Sequence, residues 1–166
     1  MMMVLVVAIN QPTPQEAIMP KQSTIKRARR DKKEGKAPST QAGEFVREVI
    51  DDIRDGKHGA RSTKQAIAIG LSMARRAGVK LPPPEKGTAS EKARKQAKRE
   101  LKRAEHGPVK ASPKRARASR KALEKEGHAA ASSTALSRQT KNAAKKRTAK
   151  ERSAAAKKAA RTRAQK

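Results

Sequence analysis

Lysine and arginine are the residues of this sequence whose chemistry is most evident. They number 43 among 166 residues, against 15 aspartates and glutamates, so the formal net charge is +28. Each cation that neutralises a phosphate releases counterions condensed on a polyanion, so many such contacts give tight and salt-dependent binding. The charge therefore indicates electrostatic binding to a polyanion.

The near absence of aromatic residues narrows the kind of polyanion. The chain has one Phe and neither Tyr nor Trp, and Phe45 falls on the apolar face of a predicted helix. Single-strand binders and RNA-recognition sheets stack bases on aromatic side chains. A membrane-surface helix needs bulky apolar residues. The basic segment from about Ser132 to the C-terminus has only Leu136. We therefore expect contact with a duplex backbone and not with a membrane.

Residues that could catalyse a reaction or bind a metal are few and scattered. Each histidine stands beside a glycine in a helix-breaking segment and is expected to be solvated: His58, His106 and His128. Four carboxylates are expected on the solvated face of one helix: Glu48, Asp51, Asp52 and Asp55. Without cysteine, disulfides and thiolate metal sites are excluded. We expect no enzyme activity, no metal site and no cofactor.

Two short motifs carry cations at positions suited to phosphate. In Gly56-Lys57-His58-Gly59-Ala60-Arg61-Ser62-Thr63-Lys64, backbone N–H groups at a helix start could bind phosphate, although a plain interhelix turn explains the motif equally well. Ser112-Pro113-Lys114-Arg115 is similar to the Ser-Pro-basic-basic element of linker-histone tails, where a turn places cations in the minor groove. Chance in a basic tail, or proline as a helix-start residue, explains it as well.

The expected nucleic-acid contacts comprise the cations of the first motif, a pair at the end of the second predicted helix, and the basic tail. They are Lys57, Arg61, Lys64, Arg75, Arg76, Lys114, Arg115, Arg117, Arg120, Lys145, Lys146, Arg147, Lys157, Lys158, Arg161 and Arg163.

The elements that position these residues must be small. Leu, Ile, Val and Phe together number 21, about 13% of the chain, below the roughly 20% at which a highly charged chain is expected to be largely disordered. Ten of them lie in residues 39–81, where the net charge is only +3, whereas residues 82–166 carry +20. The sequence therefore predicts an all-α protein with a small helical module and a polycationic tail.

The pattern predicts four segments. Residues 1–18 are expected to be a non-native or mis-assigned extension, because Met19 is a second plausible start, and 19–38 a flexible basic arm. A helical hairpin module is predicted over 39–84, with helices at about 41–55, capped by Ser39 or Thr40, and 63–77, capped by Ser62. Residues 85–166 are expected to form a Lys/Arg/Ala-rich tail whose helices are nascent in isolation.

The core motif resembles a known family. MPKQSTIKRARR (19–30), GKAPSTQAGEF (35–45) and KHGARSTKQAIAIGLSMARRAG (57–78) are similar to small basic bacterial proteins that carry a domain of unknown function and are often labelled DNA-binding proteins. The resemblance covers roughly residues 19–136 and implies a bacterial, nucleoid-related protein. The Ala-spaced cations of the tail resemble those of linker-histone C-terminal domains.

Together these features predict a histone-like, nucleoid-associated protein in the cytoplasm that binds duplex DNA without sequence preference, its tail neutralising phosphates. Association with RNA or the ribosome is the alternative, since ribosomal proteins share this composition. The helical module could also bind a protein partner through its exposed carboxylates.

Overall fold

The computed structural model describes residues 19–107 and 112–164. Its regular elements are helices: α1 (Gln22–Lys33), α2 (Pro38–Arg54), α3 (Thr63–Arg76), α4 (Glu91–Ala104), α5 (Pro113–Glu124), a 3-10 turn (Ala129–Ala131), α6 (Ser133–Lys145) and α7 (Ala149–Ala164). The predicted all-α class is confirmed. The expectation for residues 1–18 lies outside the described residues.

The core forms where α2 crosses α3. Phe45 and Ile53 of α2 are 1% and 0% exposed, and Met73 and Ala74 of α3 are buried against them. The two helices approach closely at Gly70, where a β-carbon would stand 2.6 Å from the Val46 Cα. Glycine lowers helix propensity, and the close approach of the two helices explains why glycine occupies this position.

The helix boundaries follow local chemistry. As predicted, Ser62 caps α3 by accepting a hydrogen bond from the Gln65 backbone N–H at 3.2 Å. The expected cap of α2 was wrong: the helix begins at Pro38, whose fixed φ and missing N–H suit the first helical position.

Residues 22–33 differ from the flexible arm that the sequence suggested. They form α1, which packs on α2 through small residues, with Thr24 and Ala28 buried. Ion pairs reinforce the contact: Arg27 binds Glu44, and Lys21 Nζ lies 2.6 Å from Asp52 Oδ1. Large apolar residues give little signal for this helix, because close packing of small residues and charge pairing hold it in place.

Segments beyond residue 84 also enter the core, so the predicted two-helix module is larger than expected. Helix α4 packs on α3 with Ala97 buried. Ala130 and Ala131 of the 3-10 turn belong to the main hydrophobic cluster, and Leu136 packs against it. Alanines and the single Leu136, not a continuous apolar stripe, make these contacts.

Within the described ranges, none of the helices is long and apolar enough to cross a membrane.

Candidate nucleic-acid interface

The loop between α2 and α3 holds the first cationic motif, and its lysine is engaged within the protein. Lys57 Nζ lies 2.8 Å from Asp52 Oδ1 and 3.1 Å from Asp55 Oδ2. These hydrogen bonds raise the pKa of Lys57 above its ordinary value. Burial by itself raises the pKa of Asp52, but the bonds from Lys21 and Lys57 outweigh it and the pKa lies below its ordinary value.

The backbone N–H groups of this loop bind another part of the chain. Gly59 N donates to the Leu123 carbonyl at 2.9 Å, and Ala60 N donates to the Gly127 carbonyl at 3.0 Å. The Thr63 hydroxyl donates to the Ala130 carbonyl at 2.7 Å and is buried with it. These donors are used by residues 123–131.

The Gly59 and Ala60 N–H groups are therefore not available to a phosphate, whereas a phosphate contact at the first turn of α3 stays a prediction. A buried N–H bonded to a carbonyl is satisfied and has no capacity left for a phosphate oxygen. The Arg61 backbone N–H donates to Gln65 Oε1 at 2.8 Å in an exposed hydrogen bond. Its guanidinium stays largely exposed, 3.4 Å from Glu126 Oε1, and the Lys64 side chain is exposed.

Arg75 is placed differently from the expectation of a nucleic-acid contact. It is only 6% exposed, and its guanidinium donates to the Leu81 and Pro82 carbonyls, both at 3.3 Å. Burial lowers its pKa, with Glu100 acting in the opposite direction. Arg75 therefore fixes the chain after α3. Arg76, its neighbour, is half-buried and lines a cleft beside α4.

The cations of α5 lie on an exposed helix. Lys114, Arg115 and Arg117 are exposed, whereas Arg120 donates to Glu124 one turn later. Pro113 occupies the first turn of α5, and Ser112 precedes it as the N-cap residue without a side-chain cap bond. The Ser-Pro-basic-basic element is thus a helix start here, as the helix-start alternative predicted.

Helices α6 and α7 present their cations to solvent. Lys145, Lys146, Arg147, Lys157, Lys158, Arg161 and Arg163 are all exposed. On α6, Arg138, Lys141 and Lys145 share one surface groove with hydroxyl side chains. In α7, Glu151 is the one acidic residue, and it caps the helix by accepting from Thr148 N at 2.7 Å. In α6 and α7 the basic residues are spaced mainly by Ala, Ser and Thr, and Glu151 alone is acidic.

The histidines and carboxylates form no metal centre within residues 19–107 and 112–164, where no group of three or more His, Asp or Glu side chains could hold an ion. His106 and His128 are exposed as expected, but His58 is 5% exposed, with Nδ1 3.1 Å from the Gly59 carbonyl. Asp52 and Glu48 are also buried, because α1 covers that face of α2.

Sequence reasoning missed residues 123–131 as the partner of the loop. The one available signal was the paired glycines of the loop, Gly56 and Gly59. A β-carbon at Gly59 would stand 1.8 Å from the Glu126 carbonyl oxygen.

In a comparison with known protein families, a family of unknown function (DUF6496) matches residues 20–86. This range holds α1, α2, the loop and α3, and it is shorter than the resemblance expected over 19–136. No curated protein and no solved structure matches the chain. Over residues 20–86 the chain is therefore similar to a family whose function is unknown.

Proposed function

We propose that this protein binds duplex DNA without sequence preference, as a nucleoid-associated protein, through the exposed cations of α6 and α7. The observation that carries the proposal is α7 itself. Its 16 residues include Lys150, Arg152, Lys157, Lys158, Arg161 and Arg163, against Glu151 alone. The described side chains of this helix are all exposed.

The distribution of ion pairs supports the same surface. Around α1 and α2, several cations are paired with carboxylates: Lys21, Arg27, Lys36 and Lys57. A carboxylate beside a cation offsets its charge and weakens its attraction for a phosphate. The exposed cations that follow α5 in the chain are opposed by far fewer carboxylates, so they contribute more to binding.

Phosphate contact carries no base information by itself. Arginine and lysine on a helix without aromatic neighbours neutralise the backbone and release counterions. The predicted outcome is strong, sequence-independent binding whose affinity falls steeply with salt. Helices α6 and α7 would be further stabilised on the duplex, because phosphates relieve the repulsion among their like charges.

A titration of the full chain with duplexes of equal length and different base sequence tests the proposal. Affinities for all sequences should agree within about threefold, and each should drop by about 10³ or more between roughly 50 and 200 mM salt. A strong preference for one sequence, or an affinity independent of salt, would contradict it.

RNA or ribosome association is the second candidate, since the phosphate chemistry is shared. Competition at one salt concentration separates the two. If duplex RNA or ribosomes displace duplex DNA at much lower phosphate concentration, the RNA alternative replaces the DNA proposal.

A further inference from the structure

A cleft of about 480 Å³ is lined by residues of α3, α4 and α5. One face of each helix lines it at helical spacing, as in Ser72 and Arg76 of α3 and Glu100 and Arg103 of α4. The α5 face has small residues, Ala116 and Ser119, in its middle. Small side chains there leave the cleft open where larger ones would fill it.

Three arginines line this cleft without an acid partner. Arg76, Arg103 and Arg115 come from three different helices. None forms an ion pair with a carboxylate of the described residues, although α4 carries Glu91 and Glu100 and α5 carries Glu124. Arg76 Nε is buried and has no hydrogen-bond acceptor among the described residues. A buried guanidinium N–H is rarely left without an acceptor, and an anion in the cleft would supply one.

Glu100 gives the cleft a second kind of group. It is 8% exposed, and its Oε1 accepts hydrogen bonds from the Ser72 hydroxyl at 2.5 Å and from Gln96 Nε2 at 3.2 Å. Both bonds end on one oxygen, and Oε2 accepts none from the described residues. A ligand hydroxyl can donate to that oxygen, as sugar hydroxyls do to carboxylates.

The remaining lining is mixed: Gln65 and Ser112 are polar, and the other residues are apolar. Ile69 and Leu123 lie at the cleft with Ala68 and Ala116. A pocket of roughly 300–1,000 Å³ with apolar walls and a few convergent polar groups suits a small organic ligand better than a lone inorganic ion.

We propose that this cleft binds a sugar phosphate ester of mononucleotide size, with its phosphate on Arg76, Arg103 and Arg115 and a hydroxyl on Glu100. Guanidinium groups bind phosphate through paired charge-assisted hydrogen bonds. The inference goes beyond the proposed duplex binding and does not depend on it, because the cleft lies on α3 to α5 and not on α6 or α7.

The test is an NMR titration of the isotope-labelled full chain with AMP, ribose 5-phosphate and inorganic phosphate, in separate arms at about 150 mM salt. We expect saturable shifts of the Ile69, Ser72 and Ala116 amides with AMP and ribose 5-phosphate, and weaker ones with inorganic phosphate. Arg103→Gln should weaken the affinity for both esters at least about tenfold. Arg29→Gln, which removes the same charge from an exposed position on α1, should leave it unchanged.

Arg103 is exposed, so its substitution leaves the fold intact, and unchanged shifts elsewhere in the spectrum verify this. Three results would overturn the proposal. The first is the absence of a saturable response to either ester. The second is a set of shifts spread evenly over the cations of α6 and α7. The third is an equal loss of affinity in Arg103→Gln and Arg29→Gln. An inorganic phosphate affinity equal to that of the esters would show an adventitious anion only.

Discussion

Gly59 lies against the backbone of Glu126, so close that a β-carbon on residue 59 would stand 1.8 Å from the Glu126 carbonyl oxygen and 2.4 Å from its carbonyl carbon. Hydrogen bonds from Gly59 N to Leu123 and from Ala60 N to Gly127 flank this contact. The loop that looked like a phosphate site is therefore the place where the chain after α5 is attached to the fold. This attachment also sets where the cations of α6 begin, because α6 follows directly after the attached segment.

Gly59→Ala should destabilise the protein. The added methyl group meets backbone, which cannot move aside without loss of the two hydrogen bonds. We expect the free energy of unfolding to fall by about 2–4 kcal/mol, measured by urea denaturation. Gly43→Ala is the matched control, because Gly43 is an exposed residue of α2 with open space at its β-carbon. It should raise stability by about 0.5–1 kcal/mol. Equal effects of the two substitutions would show that residues 123–131 do not pack on the loop.

Gly70→Ala tests the crossing of α2 and α3. A β-carbon at residue 70 would stand 2.6 Å from the Val46 Cα and 2.8 Å from its backbone nitrogen. The helices must separate to admit it, and we expect a loss of about 1–3 kcal/mol in the same denaturation experiment, despite the better helix propensity of alanine. A gain in stability would contradict the close crossing.

Acid should weaken the attachment of α1. The pKa of Asp52 lies below its ordinary value, because Lys21 and Lys57 outweigh the effect of burial. Its carboxylate therefore contributes stability that is present above the unfolded pKa, about 3.8, and is lost as pH falls through the lower folded pKa. Asp52→Asn should cost about 1–2 kcal/mol at pH 7, and the difference from the unchanged protein should shrink below about pH 3.8. A difference that stays constant with pH would exclude the ion pairs as its cause.

Deletion of residues 148–166 should separate the fold from binding. Helix α7 has no buried residue among its described side chains, whereas Leu136 and the 3-10 turn pack on the core. The shortened chain should keep its thermal midpoint within about 2 °C but lose much of its duplex affinity. Deletion of residues 87–166 should instead lower the midpoint strongly, because it removes Ala130 and Ala131 from the core. If both deletions melt alike, the folded unit ends earlier than the structure indicates.

Particular residues show how far the sequence determined this structure. A helix at about 41–55 and a cap at Ser62 were predictable because both signals are local: Phe45, Val49 and Ile53 recur at helical spacing, and Ser62 stands three residues before Gln65. Helix α1 was missed because Thr24 and Ala28 carry little hydrophobic signal, and their burial depends on α2. The attachment of residues 123–131 could not be predicted, since it rests on backbone hydrogen bonds between segments more than 60 residues apart. Exposure of the tail cations was predictable from composition, but the burial of Arg75 was not.

Charge removal from α7 tests the central claim most directly. Lys150, Lys157, Arg161 and Arg163 are changed to Gln, and the duplex affinity of the full chain is measured across a salt series. The control removes the same charge from exposed positions of α1: Lys26, Arg29, Lys32 and Lys33. The account predicts that the α7 variant loses about 3 to 4 from the slope of log affinity against log salt, with a smaller change in the α1 control. Equal changes in the two variants would show that net charge alone, and not the surface of α7, determines binding.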